Sequence, residues 1–277
     1  MKHILFIFIL LSLSFNPALA ANKVNNSFSR AMNYYNWQRY DQAEVWFKKA
    51  IETNPESADS YYYLGNIYYY EKDFEQALLF FDKCILISPY YIKAFYNRGI
   101  AYAAMGNFDE AIVDFSKAIE LNPQYAKAYQ ARGDMYVGND QVDLGLKDLD
   151  MAISLSNDNP EFYLSRGIAY AQKDNKSKAI EDLKRSIDFD ANGVYAYFLL
   201  GNIYYTTGDY DRAIANFSEA IDIYPDYSEA YNNRAVAYYM KRDFIKSWKD
   251  VHKVQALGDT VDSRIINNLQ KASGMTK

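Results

Sequence analysis

The sequence predicts an all-α fold built from repeated helix pairs. The segment LGNIYYYEKDFEQA at 64–77 nearly recurs as LGNIYYTTGDYDRA at 200–213, an offset of 136 residues or four times 34. Half of the 277 residues are hydrophobic and 23% are charged, a balance typical of a folded chain. Only six prolines and 12 glycines interrupt it. Long helices are therefore expected rather than short strands joined by turns.

A period of 34 residues divides the chain without insertions into seven segments: 24–57, 58–91, 92–125, 126–159, 160–193, 194–227 and 228–261. Every segment has a small residue, which we call the first marker, and a tyrosine three positions after it. A second small residue follows twelve positions after the first marker, and an apolar residue follows sixteen positions after it. In the second segment these are Gly65, Tyr68, Ala77 and Phe81. Each segment is predicted to form two amphipathic helices that cross at the small residues. One pair cannot bury its own apolar face, so neighbouring pairs stack.

These markers, with a proline near the end of four segments, resemble the tetratricopeptide repeat (TPR). The resemblance covers residues 24–261. It implies a right-handed α-α superhelix, a TPR solenoid of seven helix pairs. Apolar residues recur at helical spacing after the seventh repeat, which predicts a C-terminal capping helix at 261–273. The resemblance to the tetratricopeptide repeat also implies that the first helix of each pair lines a concave groove, which binds a peptide or a partner helix.

Repeats four and five depart from the pattern. Gly145 replaces the usual alanine at the helix crossing, and Gly138 lies late in a first helix. A glycine inside a helix costs about 0.5–1 kcal/mol relative to alanine. We therefore expect these middle repeats to be the least stable part of the stack.

The N-terminus has the features of a signal peptide. Lys2 is followed by the apolar run 4–15 and by Ala18-Leu19-Ala20, a small-x-small cleavage pattern. The apolar run is shorter than the roughly 20 residues that a membrane span needs. We predict that residues 1–20 are cleaved after Ala20. The mature chain would be periplasmic or secreted, with no stable membrane insertion.

No catalytic, metal or cofactor site is predicted. Arginine precedes the first marker at 98, 132, 166 and 234, and an aspartate stands sixteen residues later in each case, which predicts a repeated structural ion pair. His252 and Cys84 are too isolated in sequence to indicate a zinc or Cys–His site. The net charge of −5 and the lack of a basic stretch argue against nucleic acid. We predict that the protein is not an enzyme.

Ligand-binding residues are expected on the groove-facing side of the first helices. Asparagine amides can both donate to and accept from a peptide backbone, and tyrosines offer flat apolar area with a polar tip. The candidates are Tyr62, Asn66, Tyr69, Lys93, Tyr96, Asn97, Lys127, Gln130, Phe198, Asn202, Tyr205 and Asn232. Asn66, Asn97 and Lys127 also occupy three of the five positions with which some TPR proteins hold a carboxylate. Tyr62 and Ala131 replace the two remaining cations.

Two functions follow from these features. The first is a scaffold or adaptor that binds a peptide or partner protein in the groove without chemistry. The alternative is a glycan-binding module or an accessory factor of envelope polysaccharide or pilus assembly, because tyrosine surfaces also bind sugars.

Overall fold

The computed structural model describes residues 17–274, with side chains from Asn26 onward. In that range all regular structure is α-helical, in fifteen helices that follow one another as pairs and end in a single helix. The predicted all-α class is confirmed. Most of the predicted signal peptide, residues 1–16, lies outside the described residues, so its cleavage stays a prediction. No helix in the described part of the chain is long and apolar enough to cross a membrane.

The chain divides into two compact units, Met1–Leu121 and Asn122–Lys277. The helices of the first unit are α1 (Pro17–Asn36), α2 (Tyr40–Thr53), α3 (Ala58–Tyr70), α4 (Phe74–Ile87), α5 (Ile92–Ala104) and α6 (Phe108–Leu121). Those of the second are α7 (Ala126–Gly138), α8 (Val142–Leu155), α9 (Pro160–Gln172), α10 (Lys176–Phe189), α11 (Val194–Thr206), α12 (Tyr210–Ile223), α13 (Ser228–Met240), α14 (Phe244–Ala256) and α15 (Ser263–Ser273).

The two helices of a pair cross at the small residues, as predicted. A Cβ atom added to Gly65 would lie 2.5 Å from the ring of Phe81, and one added to Gly201 would lie 2.5 Å from the ring of Phe217. Contacts this short exclude a larger residue. In these two pairs the glycine and the phenylalanine sixteen residues later therefore form one packing unit.

Gly145 changes the expectation for repeat four. A Cβ atom there would lie 2.6 Å from Cγ2 of Val137 and 2.8 Å from the carbonyl oxygen of Gly133. The α7–α8 crossing is thus close enough to bring backbone against backbone. Gly145 is therefore required by the packing of α7 on α8. This requirement offsets its low helix propensity, which was the reason for expecting repeat four to be unstable.

Each described pair turns at a residue in the left-handed region, seven residues after the first marker. Gly106 and Gly208 adopt φ of 79° and 80°, and five non-glycine residues do the same: Gln38, Lys72, Asp140, Asp174 and Arg242. The next residue caps the second helix in several repeats. Asp73 accepts from the backbone N–H of Gln76, for instance, and Asp209 from that of Arg212.

The last helix, α15, covers the end of the second unit. Leu269 is fully buried against Trp248 and Val251 of α14. The indole Nε1–H of Trp248 donates to the hydroxyl of Ser273 at 3.2 Å. This is the capping helix that the apolar spacing after repeat seven predicts.

Candidate functional site

Asn66 and Asn97 are hydrogen-bonded to each other across two successive first helices, α3 and α5. The Nδ2 group of Asn97 donates to Oδ1 of Asn66 at 2.7 Å and to the hydroxyl of Tyr62 at 3.1 Å. Asn66 is only 6% exposed. The sequence suggested an amide open to a peptide at Asn66, whereas the structure places it inside a polar cluster. The observed setting of Asn66 differs from the expected one because its hydrogen-bond partner, Asn97, lies 31 residues away in the next repeat.

The second unit repeats this bond in the same register. The Nδ2 group of Asn233 donates to Oδ1 of Asn202 at 2.8 Å. Both residues are offset by 136 from the pair in the first unit. Asn202 is half-buried rather than buried. Because its oxygen is already occupied, its Nδ2 group is the part of the amide that can donate to a ligand.

In repeat four the position equivalent to Asn66 and Asn202 holds a carboxylate, Asp134. Gln130 donates through Nε2 to Oδ2 of Asp134 at 2.9 Å and to the hydroxyl of Ser165 at 3.2 Å. Burial raises the pKa of Asp134 to about 6, and the nearby Glu161 adds to the shift, while hydrogen bonds from Ser165 and Gln130 oppose it. Gln130 is thus held by its own neighbours.

Four of the candidate aromatic residues each pack against a neighbouring aromatic ring. The Tyr62 ring centroid lies 5.1 Å from that of Tyr91, and the Phe198 centroid lies 5.0 Å from that of Tyr227. Tyr69 and Tyr205 pack on Phe74 and Tyr210, the first residues of the second helix in their own repeats, at 5.6 and 5.7 Å. All four rings are half-buried. Each ring is therefore supported by a neighbouring ring.

The remaining candidates fall in different settings. Lys93 and Lys127 are exposed, and Tyr96 is half-buried with its ring 5.6 Å from that of Phe115. Asn97 and Asn66 belong to the first unit and Lys127 to the second. The two asparagines of the carboxylate-binding set are hydrogen-bonded to each other.

An apolar cavity of about 330 Å³ opens between α9 and α11 in the second unit. Its volume is near the lower end of the roughly 300–1,000 Å³ of ligand pockets, so it suits one or two side chains. Asn202 is the only candidate residue that lines it. The other lining residues are Gly167, Ile168, Ala171, Asp174, Lys176, Leu183, Leu199, Ile203 and Thr206.

Sequence reasoning missed this cavity because Ile168 and Ala171 look unremarkable for binding. The signal lay in a comparison between repeats. Position 171 is alanine, whereas tyrosine stands at the equivalent Tyr35, Tyr69, Tyr205 and Tyr239. The missing ring leaves space beside Ile168.

A second cavity, of about 470 Å³, brings together the candidates Phe198 and Asn232 with the acidic residues Glu229, Asp259 and Asp262. The Asp262 carboxylate is already paired with Arg264 at 2.5 Å. Its lining is more polar than that of the cavity between α9 and α11. It offers fewer apolar contacts to a ligand.

The recurrent arginines and aspartates form the predicted structural pairs. In repeat five, Arg166 binds Asp182 through Nε–Oδ2 at 2.8 Å and Nη2–Oδ1 at 2.7 Å, with the aspartate buried. The same two-point geometry joins Arg98 to Asp114, Arg132 to Asp148 and Arg234 to Asp250. Each carboxylate is thus committed to a guanidinium, an arrangement that serves packing.

The other reactive groups are also placed for structure. Cys84 is buried, and burial raises the pKa of its thiol to about 12, so little thiolate forms at neutral pH. The His252 ring packs 5.5 Å from Trp248. In the described part of the chain no group of three or more His, Cys, Asp or Glu side chains is arranged to hold a metal.

Helix pairs in series, crossing at small residues and capped by a final helix, define an all-α repeat protein whose first helices carry the candidate binding surface. Family models of the tetratricopeptide repeat match residues 27–57, 58–91, 92–125 and 160–192, and a TPR repeat model matches 201–241. Together they cover more than half of the chain. The chain belongs to the tetratricopeptide repeat proteins.

Solved structures agree with this assignment. A tetratricopeptide repeat protein from Parabacteroides merdae aligns over 91% of this chain and 99% of its own, with a TM-score of 0.70 and 16% identity, which speaks for the fold alone. MamA is 26% identical over 58% of this chain and 94% of its own (TM-score 0.54). YrrB, described as a TPR protein with an unusual peptide-binding site, is 27% identical over 66% and 95% (TM-score 0.53). A comparison with curated proteins finds no match.

Proposed function

We propose that this protein is an interaction scaffold that binds an extended segment of a partner protein on the first helices of its second unit. The cavity between α9 and α11 carries this proposal. It combines an apolar floor at Ile168, Leu199 and Ile203 with the half-buried amide of Asn202.

An aliphatic side chain of the partner would enter the cavity. Full burial of a leucine-sized side chain contributes about 1.5–3 kcal/mol. Asn202 would donate from Nδ2 to a backbone carbonyl of the same segment, for about 0.5–1.5 kcal/mol net. Ordering the segment opposes both gains, so we expect affinities in the micromolar range.

The similarity to YrrB supports this choice, because that structure is described as having a peptide-binding site and is 27% identical over two thirds of this chain. The packed rings of Phe198 and Tyr205 support it as well. They are held by Tyr227 and Tyr210, so an ordered segment would meet a firm surface.

We propose that the first unit adds a second contact surface through the candidates Tyr62, Tyr69 and Lys93. Tyr62 and Tyr69 supply half-buried, packed rings, and the exposed Lys93 supplies charge. Asn66 would act within this surface by accepting from Asn97, which also donates to Tyr62, rather than by touching the partner.

We further propose that the protein acts outside the cytoplasm, in the periplasm or as a secreted protein. The charged start, the apolar run at 4–15 and the Ala18-Leu19-Ala20 pattern support this. Intact mass of the protein recovered from a bacterial periplasm tests it. We expect the mass of a chain that begins at Ala21. An uncleaved product found in the cytoplasm would refute the proposal.

Selection from a random-peptide library on the purified protein tests the binding function, with a glycan array in parallel. We expect peptides enriched in one aliphatic residue, and an Asn202→Ala variant that binds them about tenfold more weakly. Asn216→Ala, which removes an amide on the second helix of the same repeat, should leave affinity unchanged. Glycan binding without any selected peptide would assign the surface to sugars and overturn the proposal.

A further inference from the structure

An exposed aliphatic stripe runs over the second helices of the first three repeats, away from the candidate site. Val45 on α2, Leu79 on α4 and Val113 on α6 occupy the same repeat position and are 50%, 48% and 67% exposed. We call these three residues the outer stripe. All three lie in the first unit. Single exposed apolar residues are ordinary, but the same position exposed three times in register is not.

The outer stripe lies between two rows of opposite charge. Four residues earlier on each helix stand Asp41, Glu75 and Asp109, and four residues later stand Lys49, Lys83 and Lys117. Positions four apart share one face of a helix, about 6 Å along its axis. Each of the three helices therefore presents acid, aliphatic and base in the same direction and order.

The lysine row is partly fixed by local contacts. The Nζ atom of Lys49 lies 4.4 Å from the Trp46 ring centroid, and that of Lys117 lies 2.7 Å from Glu120. Lys83, on the central helix, is exposed. The ordered outer lysines keep the row of charge in register with the stripe.

The second unit does not carry this pattern. The positions equivalent to the outer stripe are Lys147, Glu181, Ala215 and Lys249, and the flanking positions are of mixed character. The pattern is thus a property of repeats one to three rather than of the repeat itself.

We infer that this face pairs with the same face of a second copy of the chain. A two-fold axis that passes through Leu79 and runs across the three helices reverses the helix direction and sets each repeat against its own equivalent. It places each acid against a base: Glu75 opposite Lys83, Asp41 opposite Lys49, and Asp109 opposite Lys117 of the other copy. Val45, Leu79 and Val113 each meet their own equivalents. Few surfaces are complementary to themselves in this way, and a closed dimer requires it.

The contact is small and its charges are exposed, so the dimer is weak and sensitive to salt. Exposed ion pairs contribute little to affinity and mainly fix the register, while the aliphatic contacts supply the attraction. The Debye length is about 8 Å at physiological ionic strength, so raising the salt screens the charge rows. We expect a dimer that forms at micromolar concentrations and weakens as the salt concentration rises.

Sedimentation velocity over a concentration series tests this with two charge-reversed variants. Asp41→Lys/Glu75→Lys/Asp109→Lys and Lys49→Glu/Lys83→Glu/Lys117→Glu should each be monomeric, with dissociation constants at least tenfold higher. An equal mixture of the two should dimerise again, because every facing pair is then opposite in charge. The controls Glu181→Lys/Glu219→Lys/Asp222→Lys and Lys147→Glu/Lys184→Glu/Lys249→Glu change the net charge equally on the second unit and should dimerise like the wild type.

Cysteine crosslinking locates the axis. Leu79→Cys should form a covalent dimer under mild oxidation, whereas Ala215→Cys, at the same position of repeat six, should not. Cys84 is buried and does not interfere. A wild-type chain that stays monomeric at 100 micromolar overturns the inference. So does a dimer that survives either reversal alone, or a Leu79→Cys yield no higher than that of Ala215→Cys.

Discussion

Asn233 donates from Nδ2 to Oδ1 of Asn202 at 2.8 Å, from one first helix to the next. This bond fixes the orientation of an amide that lines the cavity between α9 and α11. The same bond, from Asn97 to Asn66, lies in the first unit, where Asn66 is buried. The sequence motif is shared, and in the second copy an open cavity lies beside it.

We expect Asn233→Leu to lower peptide affinity by about three- to tenfold, because the Asn202 amide loses the bond that orients it. Asn233→Ser should stay within twofold of the wild type, since a serine hydroxyl stands at the equivalent Ser165 and can also donate. Isothermal titration calorimetry with a selected peptide measures both. Equal losses in the two variants would show that orientation is not the cause.

The Asp134 carboxyl should make stability depend on pH. Its pKa is raised to about 6 by burial, against about 3.9 in an unfolded chain, so the folded state resists ionisation. Stability is lost as pH rises from about 4 to 6. Asp134→Asn, which copies Asn66 and Asn202, should stabilise the protein by about 2 kcal/mol more at pH 7 than at pH 4. Urea unfolding at both pH values measures this, and an equal gain at both would contradict it.

Replacing Arg166 and Asp182 together should cost little stability, whereas replacing Arg166 alone should cost much. Arg166→Leu leaves a buried carboxylate without its partner and should cost about 3–5 kcal/mol. Adding Asp182→Asn reproduces Leu200 and Asn216 of repeat six and should recover most of the loss. Urea unfolding followed by circular dichroism compares the single and double variants. Additive losses would refute the exchange.

The turn at Lys72 should gain stability from glycine. Lys72 adopts a φ of 63°, a conformation that costs an L-residue roughly 1–2 kcal/mol of folding free energy. Glycine avoids this cost but loses about 0.5–1 kcal/mol of backbone entropy when the chain folds. Lys72→Gly should therefore raise stability by up to about 1 kcal/mol. Lys72→Ala keeps the strain and should give no gain. A gain from alanine equal to that from glycine would mean that loss of the charge, not the backbone, is responsible.

The sequence was sufficient to predict the helix pairs, their crossings and the arginine–aspartate pairs, because each depends on residues at fixed spacing within one repeat. Gly65 with Phe81 and Arg166 with Asp182 are both sixteen residues apart and meet in the structure as expected.

Features that depend on two repeats could not be predicted. Asn66 looked exposed because its helical face points to the groove, but Asn97 of the next repeat covers it. Gly145 looked like a weakness for another reason: the close backbone approach of α8 to Gly133 within repeat four is not visible in the sequence. The cavity arises from a missing ring at Ala171 next to Ile168, and its volume depends on how two first helices pack.

Ala171→Tyr tests the central claim most directly, because it places in repeat five the residue that four other repeats carry there and fills the cavity without a foreign side chain. Ala103→Tyr, the same change in repeat three, is the matched control. Calorimetry with a selected peptide should show affinity reduced at least tenfold by Ala171→Tyr and unchanged within twofold by Ala103→Tyr. Wild-type affinity in the Ala171→Tyr variant would contradict binding at this cavity.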